Sequence, residues 1–314
     1  MNKLEGKAIL VTGANGFIGR HLVERLSGIA GVRMLLLSRK TLQSTRPNGV
    51  WLKGELNQLT PEFWRQHDVG HIDYVFHLGA FTPKSSPEAN RIAHAVDDNI
   101  SGTRALIQGL PNKPEKLIFS STLDVYAPQV SNAPLSEESR VKPASLYGAS
   151  KLFCESLVMA WARECGCNYA ILRYGHIYGP GEEQYRKLIP VVIRNLIADQ
   201  SPVVHGDGSI LRDYLYVADA VEATIRAALV EGNTGPVNIV RGVSNTLKEI
   251  VQRLIQLTNS QHEINYLSDK PNENSLRFDN RLMERLLGSW SKTELEQGLA
   301  AEVAAFREMA NERY

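Results

Sequence analysis

The chain has 314 residues, of which 43% are hydrophobic and 22% are charged, and its formal net charge is +1. These proportions allow a large buried core, while balanced charges without a basic or acidic block argue against a nucleic-acid partner. The sequence has no apolar run of membrane-spanning length, no signal-peptide pattern at its start, and three cysteines without disulfide-framework or metal-site spacing, so we expect a cytoplasmic protein without a bound metal.

Apolar runs and amphipathic stretches alternate along the first half of the chain. The runs that predict strands are Ala8–Val11, Arg33–Leu37, Val50–Leu52, Tyr74–Leu78, Lys116–Ser120 and Tyr169–Leu172. The stretches that predict helices are Ile18–Leu26, Pro61–His67, Arg91–Leu110 and Leu146–Glu164. Strands that alternate with helices form parallel sheets, and strands that are apolar throughout are covered on both faces. The predicted fold class is therefore α/β, with a doubly wound parallel sheet of the Rossmann type.

The regular alternation ends near Arg173. Glycine- and proline-rich loops then separate predicted helices at Leu188–Ala198, Val217–Val230 and Leu247–Leu257 and a predicted strand at Val237–Val240. The last helix is predicted to begin with the capping-box pattern Ser291-Lys-Thr-Glu294. We expect a dinucleotide-binding domain over residues 1–172 and a smaller C-terminal α/β domain over residues 173–314 that mainly binds substrate, with residues of about 205–240 returning to the first domain.

Three glycines join the first predicted strand to the first predicted helix. In a βαβ unit Gly13 would permit a tight turn, Gly16 would let the backbone approach a pyrophosphate, and Gly19 would let the helix pack closely on the sheet. The helix N-terminus would present free N–H groups to phosphate. The sequence therefore predicts a dinucleotide site; the alternative is a turn that binds nothing. The residues predicted to form this site are Gly13, Asn15, Gly16, Phe17, Ile18 and Gly19.

The end of the second predicted strand indicates which dinucleotide to expect. An acidic residue there would bind the adenosine ribose, but the sequence has Ser38, Arg39 and Lys40. Two cations and a hydroxyl can pair with a 2′-phosphate, which favours NADP over NAD; the alternative is a solvated loop. Glu55, with Leu56 after it, follows the third strand and is predicted to lie beside the adenine.

Two segments carry the residues expected to perform chemistry. Tyr147 and Lys151 are four residues apart and share one face of a predicted helix. The lysine ammonium can stabilise a tyrosinate and hold the nicotinamide ribose, so that the phenol transfers a proton near neutral pH. A hydroxyl at the end of the fifth strand, within Leu117–Ala127, would orient a substrate carbonyl or alcohol.

Taken together, the motifs resemble the extended short-chain dehydrogenase/reductases, the NAD(P)-dependent family of nucleotide-sugar epimerases, dehydratases and reductases. The resemblance covers nearly the whole chain. Its segments are TGANGFIG at Thr12–Gly19, FHLGA at Phe76–Ala80, NISGT at Asn99–Thr103, SSTLDVYA at Ser120–Ala127, YGASK at Tyr147–Lys151, RYGHIYGPG at Arg173–Gly181, GDGSILRDYLYVADA at Gly206–Ala220 and LLGSWSKTELEQGL at Leu286–Leu299.

The resemblance implies roles for individual residues. The family's strand-end hydroxyl stands four residues before the tyrosine of its VYG segment, which implies Thr122, with Ser121 as the alternative. Tyr147 and Lys151 match the family's acid/base and its partner. The further residues implied along the cofactor are Leu78, Gly79, Ala80 and Asn99, and those implied along the substrate are Thr82, Lys84, Ser121, Thr122 and Asp124.

Three more positions bear on the substrate. Arg212 matches the arginine that holds the nucleotide diphosphate in the family's G-x-G-x-x-R-D pattern; the alternative is an ion pair with Asp213 or Asp219. Arg277 resembles a second family residue at the diphosphate. His176 stands where the family commonly has asparagine, and it is expected either to contact substrate or to pack.

One departure argues against one reaction of the family. Its dehydratases carry an Asp-Glu pair after the strand-end threonine, whereas this chain has Leu123-Asp124, so dehydration is not expected.

We expect a reductase that uses NADPH to reduce a keto group, in particular at C4, on a nucleotide-linked hexose. Tyr147 would protonate the forming alkoxide while Thr122 hydrogen-bonds the same oxygen. One alternative is an NAD-dependent C4 epimerase, and another is an NADP-binding sensor or scaffold without catalysis. The resemblance also implies a homodimer formed through the helices predicted at Arg91–Leu110 and Leu146–Glu164.

Overall fold

The computed structural model describes residues 2–40, 48–129, 133–267 and 275–311. Its strands are β1 (Ala8–Thr12), β2 (Arg33–Ser38), β3 (Gly49–Lys53), β4 (Tyr74–His77), β5 (Lys116–Thr122), β6 (Asn168–Tyr174), β7 (His176–Tyr178), β8 (Val203–His205), β9 (Leu211–Tyr216), β10 (Thr234–Ile239), β11 (Ser244–Thr246) and β12 (Asn265–Leu267). Its α-helices are α1 (Phe17–Ser27), α2 (Pro61–Gln66), α3 (Gly102–Gly109), α4 (Leu146–Cys165), α5 (Leu188–Ile197), α6 (Val217–Leu229), α7 (Leu247–Thr258), α8 (Arg281–Leu287) and α9 (Leu295–Asn311).

Within these ranges, seven parallel strands form the central sheet, in the order β10-β6-β5-β4-β1-β2-β3. The chain winds outward from β1 to β3 and then crosses to β4 on the other side of β1. The carboxyl ends of β1 and β4 therefore flank a crevice at the point where the winding direction changes. The predicted doubly wound parallel sheet is confirmed.

Helices cover both faces of this sheet. One apolar cluster fills the space between the sheet and helices α1, α6 and α8, and includes Leu22, Leu36 and Val221. A second cluster lies under α2, α3 and α4 on the opposite face and includes Trp64 and Val158. Because both faces are buried, the inner strands are apolar along most of their length, and their polar residues lie at the ends, as in β1 and β2.

The segment predicted as one helix over Arg91–Leu110 is not a regular α-helix. It begins as a π-helix over His94–Ser101 and continues as α3. The wider turn buries Asn99, whose side chain accepts a hydrogen bond from the Phe81 backbone N–H at 2.8 Å and donates to Ser150 Oγ at 3.0 Å. Short π-helical segments of this kind are frequent at functional sites.

The C-terminal part of the chain builds a second layer beside the carboxyl ends of the central strands. A small sheet, β11-β9-β7, packs with α5, α7 and α9 around a third apolar cluster that includes Val192, Leu254 and Leu299. The predicted boundary at residue 172 falls within β6, and β10 lies in the central sheet. The division into two domains stays a prediction.

The predicted start of the last helix is wrong. Helix α9 begins at Leu295, four residues after the expected cap at Ser291. The Thr293 backbone N–H donates to the Asp219 carboxylate at 2.9 Å, and the Glu294 carboxylate pairs with Arg241 at 3.2 Å. Long-range partners thus hold the capping-box residues outside the helix. Among the helices of the described ranges, none combines the length and apolar character needed to cross a membrane.

Candidate active site

A cleft of about 1440 Å³ opens at the carboxyl ends of β1, β2, β4 and β5. It begins at the glycine turn after β1 and extends past the start of α4 to residues 174–177 and 184–187. This is the position in which doubly wound sheets bind their ligands.

The glycine turn forms one end of the cleft and has the shape of a dinucleotide cradle. Gly13 has a φ of +70°, and a Cβ on it would lie 2.7 Å from the Gly79 backbone nitrogen. A Cβ on Gly19 would overlap the Gly13 carbonyl oxygen. Gly16 caps α1 without any side-chain hydrogen bond to the first-turn amides, which leaves them open to the cleft. All six residues predicted for this turn line the cleft, so the turn fits a pyrophosphate.

A buried hydrogen-bond chain holds the ends of β1 and β4 together. The Thr12 hydroxyl accepts from the Gly79 N–H at 2.9 Å and lies 2.7 Å from His77 Nδ1. The other ring nitrogen of His77, Nε2, lies 3.0 Å from Thr103 Oγ1. Burial, with a smaller contribution from the Lys151 charge, lowers the pKa of His77 to about 3. This histidine is therefore a neutral structural link.

The end of β2 brings the predicted cationic run to the cleft. Ser38 is buried and accepts a hydrogen bond from the Lys40 backbone N–H at 3.1 Å, whereas the Arg39 and Lys40 side chains are exposed. All three line the cleft. Glu55 and Leu56 line it as well, and Glu55 caps a short 3₁₀ helix in a reciprocal pair of bonds with Gln58.

Tyr147 lies in the first turn of α4 and is half-buried. The side chains of Thr122 and Thr82 hydrogen-bond with its hydroxyl. Burial raises the pKa of Tyr147, and the negative charge of Asp124 raises it further. Asp124 also lines the cleft, and its backbone N–H donates to Thr122 Oγ1 at 3.2 Å. The phenol and the Thr122 hydroxyl thus meet at the end of β5, where the sequence predicts both.

Lys151 lies one turn behind Tyr147 and is only 3% exposed. Its ammonium nitrogen lies 4.4 Å from the centre of the Phe119 ring. Burial lowers the pKa of Lys151 to about 8, with the Cys154 and Glu155 side chains acting in the opposite direction. Lys151 and Asn99 are not among the residues that line the cleft in the described part of the chain. Both residues lie behind Tyr147 as seen from the cleft. Ser150 Oγ, which accepts a hydrogen bond from Asn99, donates to the Tyr147 carbonyl at 2.8 Å.

Ser121, the alternative strand-end hydroxyl, is engaged elsewhere. It lines the cleft, but its hydroxyl donates to Glu155 Oε1 at 2.5 Å. Glu155 is buried and also accepts two hydrogen bonds from Arg173, at 2.9 and 2.7 Å. Arg173 in turn donates to the Tyr126 hydroxyl at 2.9 Å. This network favours Thr122, which lies beside the Tyr147 hydroxyl, as the hydroxyl that meets a substrate.

His176 lies at the far end of the cleft. Its Nδ1 is buried without a hydrogen-bond partner in the described residues, and its ring meets Tyr214 edge-on at 5.8 Å. Burial lowers the pKa of His176 to about 3, and the nearby charges of Arg212 and Lys187 lower it further. The imidazole is therefore neutral, and its Nδ1 is buried and unpaired in the described residues.

The structure does not bring the two predicted diphosphate arginines to the cleft surface. Arg212 is buried on β9 and donates to the Leu211 carbonyl at 3.0 Å. Asp213 and Asp219, the alternative partners, accept backbone N–H bonds from Arg241 and Thr293. Arg277 is exposed, and its neighbours Leu276 and Phe278 line the cleft in its place.

Thr82 and Lys84, which are predicted to bind substrate, line the cleft. The sequence does not predict residues 184–187, which face them. Gln184, Tyr185, Arg186 and Lys187 also line the cleft, and the Arg186 backbone N–H donates to the Lys84 carbonyl at 3.4 Å. The sequence signal that could have indicated this segment is the pair of adjacent cations Arg186-Lys187, which stands directly before an apolar helical pattern.

Comparison with known families identifies the type of protein. A family model described as the NAD dependent epimerase/dehydratase family matches residues 9–239, which is more than half of the chain. The chain belongs to this family. The predicted resemblance to the extended short-chain dehydrogenase/reductases is confirmed, and the matched region spans the glycine turn, Tyr147 and Lys151.

Relatives within the epimerase/dehydratase family perform different reactions. The UDP-N-acetyl-alpha-D-glucosaminuronate decarboxylase of Bacillus cytotoxicus is 29% identical, over 98% of this chain and 99% of its own. The solved structure of a UDP-glucose 4-epimerase from Thermotoga maritima with UDP-glucose superposes with a TM-score of 0.84, at 27% identity and over 96% and 99% of the two chains. MoeE5 in complex with UDP-glucose and NAD superposes with a TM-score of 0.82, at 28% identity and with the same coverage.

Proposed function

We propose that the protein is an NADPH-dependent reductase that converts a keto group of a nucleotide-linked hexose, at C4, into an alcohol. The observation that carries the choice of cofactor is the end of β2, where Ser38, Arg39 and Lys40 line the cleft and no acidic residue follows the strand. A guanidinium and an ammonium favour a 2′-phosphate, whereas a carboxylate would repel it. Glu55 is proposed to lie beside the adenine.

The relatives support a nucleotide sugar as the substrate. The Thermotoga maritima epimerase and MoeE5 were both solved with UDP-glucose. In this chain Lys84, Arg186 and Lys187 line the cleft and can meet the negative charge of a diphosphate. The neutral His176, with its free Nδ1, can hydrogen-bond the same ligand. Arg212 and Arg277 remain proposed diphosphate ligands, and binding by either requires its side chain to reach the cleft.

Three residues divide the chemistry between them. When bound, a nicotinamide cofactor would supply the hydride that the carbonyl carbon receives. Thr122 hydrogen-bonds the carbonyl oxygen, and Tyr147, whose raised pKa keeps it protonated, delivers the proton that converts the alkoxide into an alcohol. Lys151 is proposed to stabilise the tyrosinate left after proton transfer and to hold the cofactor ribose, which requires its ammonium to reach the cleft. Leu123 gives no carboxylate for the elimination of water.

A second candidate is an NAD-dependent C4 epimerase, which the similarity to the Thermotoga maritima enzyme and the NAD complex of MoeE5 favours. The same tyrosine, lysine and threonine would remove and return the proton. Reduced nicotinamide absorbance separates the two reactions, because a reductase consumes NADPH in proportion to product whereas an epimerase shows no net change.

The test is turnover of keto sugars linked to UDP, dTDP, GDP or CDP, each with NADPH and with NADH. We expect NADPH to be preferred, and Arg39→Ala to lower kcat/KM for NADPH by about tenfold or more, since one charged hydrogen bond contributes about 1.5–3 kcal/mol. Arg33→Ala is the matched control, because Arg33 is exposed at the opposite end of the same strand. A wild type that prefers NADH, or interconverts C4 epimers without consuming NADPH, would overturn the proposal.

We also propose that the protein forms a homodimer. Ile92, Val96 and Phe153 are 70%, 43% and 53% exposed on the segments predicted to form the interface. Sedimentation equilibrium checks this, and we expect Phe153→Glu to shift the protein to monomer. A monomeric wild type at micromolar concentration would contradict it.

A further inference from the structure

Two buried carboxyl groups lie together beneath the far end of the cleft. Glu182 is 1% exposed and Glu302 is fully buried, although they are far apart in sequence. In the described residues, Glu182 Oε1 and both carboxyl oxygens of Glu302 have no N–H or hydroxyl donor as a partner, so each carboxyl group has only the other carboxyl group to pair with. Burying an unpaired carboxylate is costly.

Helix α9 carries Glu302 into this position. At Gly298, one turn before Glu302, a Cβ would overlap the Tyr178 hydroxyl, so only a glycine lets α9 approach β7 this closely. The Tyr178 hydroxyl donates to the Leu295 carbonyl at 3.3 Å and fixes the start of the helix. The Glu302 side chain therefore reaches the segment that follows β7, which we call the 179–187 loop.

A shared proton accounts for the pair. The Glu302 side chain is within hydrogen-bonding reach of Glu182. Burial and the neighbouring Glu182 charge raise the pKa of Glu302 well above that of an ordinary carboxyl group, so the pair holds a proton on Glu302, which donates to Glu182. Glu182 Oε2 accepts from the Lys187 ammonium at 3.0 Å, and this ammonium also donates to the Ile177 carbonyl at 3.1 Å. A continuous chain thus runs from Glu302 through Glu182 to Lys187.

The 179–187 loop touches both halves of the cleft. The Pro180 carbonyl accepts from His21 Nε2 on α1 at 2.7 Å. The Tyr185 ring lies 6.3 Å from the Phe17 ring of the glycine turn, and the Lys187 ammonium lies 5.7 Å from the same ring. Movement of the loop would therefore alter the dinucleotide end and the far end of the cleft together.

We propose that Glu302 is a positioning residue: its carboxylic acid holds the Glu182 carboxylate and, through it, fixes Lys187 and the 179–187 loop against the cleft. The proposal rests on the proposed function only in taking the cleft as the place where a nucleotide sugar binds. Glu302 does not touch the ligand, so its effect falls on ligand binding.

The experiment compares Glu302→Gln, which keeps a hydrogen-bond donor, with Glu302→Leu, which keeps the approximate size but has no donor. Glu308→Gln, on the exposed side of α9, is the matched control. In Glu302→Leu we expect amide hydrogen exchange in residues 179–187 to be at least about tenfold faster and KM for the nucleotide sugar to rise about tenfold, with kcat within about twofold. Glu302→Gln and Glu308→Gln should resemble the wild type. Equal behaviour of the Gln and Leu variants, or unchanged exchange in a folded Glu302→Leu, would overturn the proposal.

A pH series keeps the test decisive if Glu302→Leu does not fold. The charged groups that face Glu302 are Glu182, Glu183 and Lys187. The tyrosines near it, all with raised pKa values, are Tyr178, Tyr214 and Tyr216. Exchange of the loop in the wild type should accelerate, beyond the intrinsic effect of pH, as the pH rises into the alkaline range and Glu302 ionises. Glu302→Gln should lack this acceleration, and the same acceleration in both proteins would refute the role of the acid. Because exchange is measured without substrate, this test does not depend on activity. A wild type that is inactive on every sugar would refute the proposed function, while the exchange data would still decide the role of Glu302.

Discussion

Gly13→Ala is the substitution that tests the dinucleotide cradle most directly. Gly13 and Gly6 share one backbone conformation, with φ of +70° and +69°, but they differ in surroundings. A Cβ on Gly13 would lie 2.7, 2.8 and 2.9 Å from three backbone atoms of Leu78 and Gly79, whereas a Cβ on Gly6 would meet nothing within 4 Å. Gly6→Ala is therefore a control for the conformational strain alone.

The two variants should lose different amounts of stability. The left-handed conformation costs a non-glycine residue about 1–2 kcal/mol, and Gly→Ala recovers about 0.4–1 kcal/mol by restricting the unfolded chain. Gly6→Ala should thus lower the free energy of unfolding by about 1 kcal/mol. In Gly13→Ala the end of β4 must move by about 1 Å to restore ordinary contact distances of about 3.5–4.0 Å. Such overpacking costs a further 1–3 kcal/mol or so, and the movement weakens the hydrogen bond between Thr12 and Gly79.

Urea unfolding measures the stabilities of the two variants, and titration with a nicotinamide dinucleotide measures how tightly each variant binds it. The same movement displaces the amides of the first turn of α1, so Gly13→Ala should raise the dinucleotide Kd more than tenfold, while Gly6→Ala leaves it unchanged. If the two variants unfold at the same urea concentration and bind dinucleotide equally well, the close approach of Gly13 to β4 does not form the cradle, and the reasoning fails.

Three further predictions concern the catalytic end of the cleft and the sheet beneath it. Tyr147→Phe should lower kcat by about 10²–10⁴-fold with unchanged dinucleotide affinity, since general acid catalysis contributes that factor; near-normal turnover would remove the proposed proton donor. Ser121→Ala should destabilise the fold by about 1.5–3 kcal/mol, because a hydrogen bond to the buried Glu155 carboxylate is lost, but its kcat should stay within a few-fold of wild type. Thr122→Val should instead lower kcat. The reverse pattern would make Ser121 the hydroxyl that binds substrate. The His77 pKa is lowered from about 6.5 to about 3, so the folded state binds fewer protons than the unfolded chain, and stability is complete above pH 6.5 and falls below it. We expect a loss of about 2 kcal/mol from this residue between pH 7.5 and pH 5, measured by urea unfolding and absent in His77→Gln.

The features that the sequence predicted well are those decided by neighbouring residues. The glycine turn, the apolar strands and the Tyr147–Lys151 pair each lie within a short segment, and their physical roles follow from local geometry. The positions of Thr122 and of the cationic run at Ser38–Lys40 could be predicted from the order of strands and helices, because parallel strands bring their carboxyl ends to one edge of a sheet.

Features that depend on distant partners could not be predicted in the same way. Ser121 and Thr122 are adjacent hydroxyls, and only the approach of Glu155 from α4 shows that Ser121 is engaged. The capping-box pattern at Ser291 does not start a helix, since Asp219 binds the Thr293 amide. The π-helix requires the bonds of Asn99 to Phe81 and Ser150, which lie on other elements.

The two candidate reactions place opposite demands on the 179–187 loop. A reductase must release its oxidised dinucleotide in every turnover, whereas an epimerase must keep the dinucleotide while the keto sugar turns over. The loop contacts α1 through one hydrogen bond from His21 and through ring contacts of Tyr185 and Lys187 with Phe17. The Arg20 guanidinium of α1 also lies beside Gly181. These few contacts can break without disturbing the core of the sheet, and active-site loops of this kind open within microseconds to milliseconds. The acid pair beneath the loop adds order without closing the dinucleotide end. The loop is thus anchored at the far end of the cleft and held by few contacts at the dinucleotide end. Such an arrangement suits a protein that exchanges its cofactor in each turnover, and it agrees with the cationic run at Ser38–Lys40 that favours NADPH.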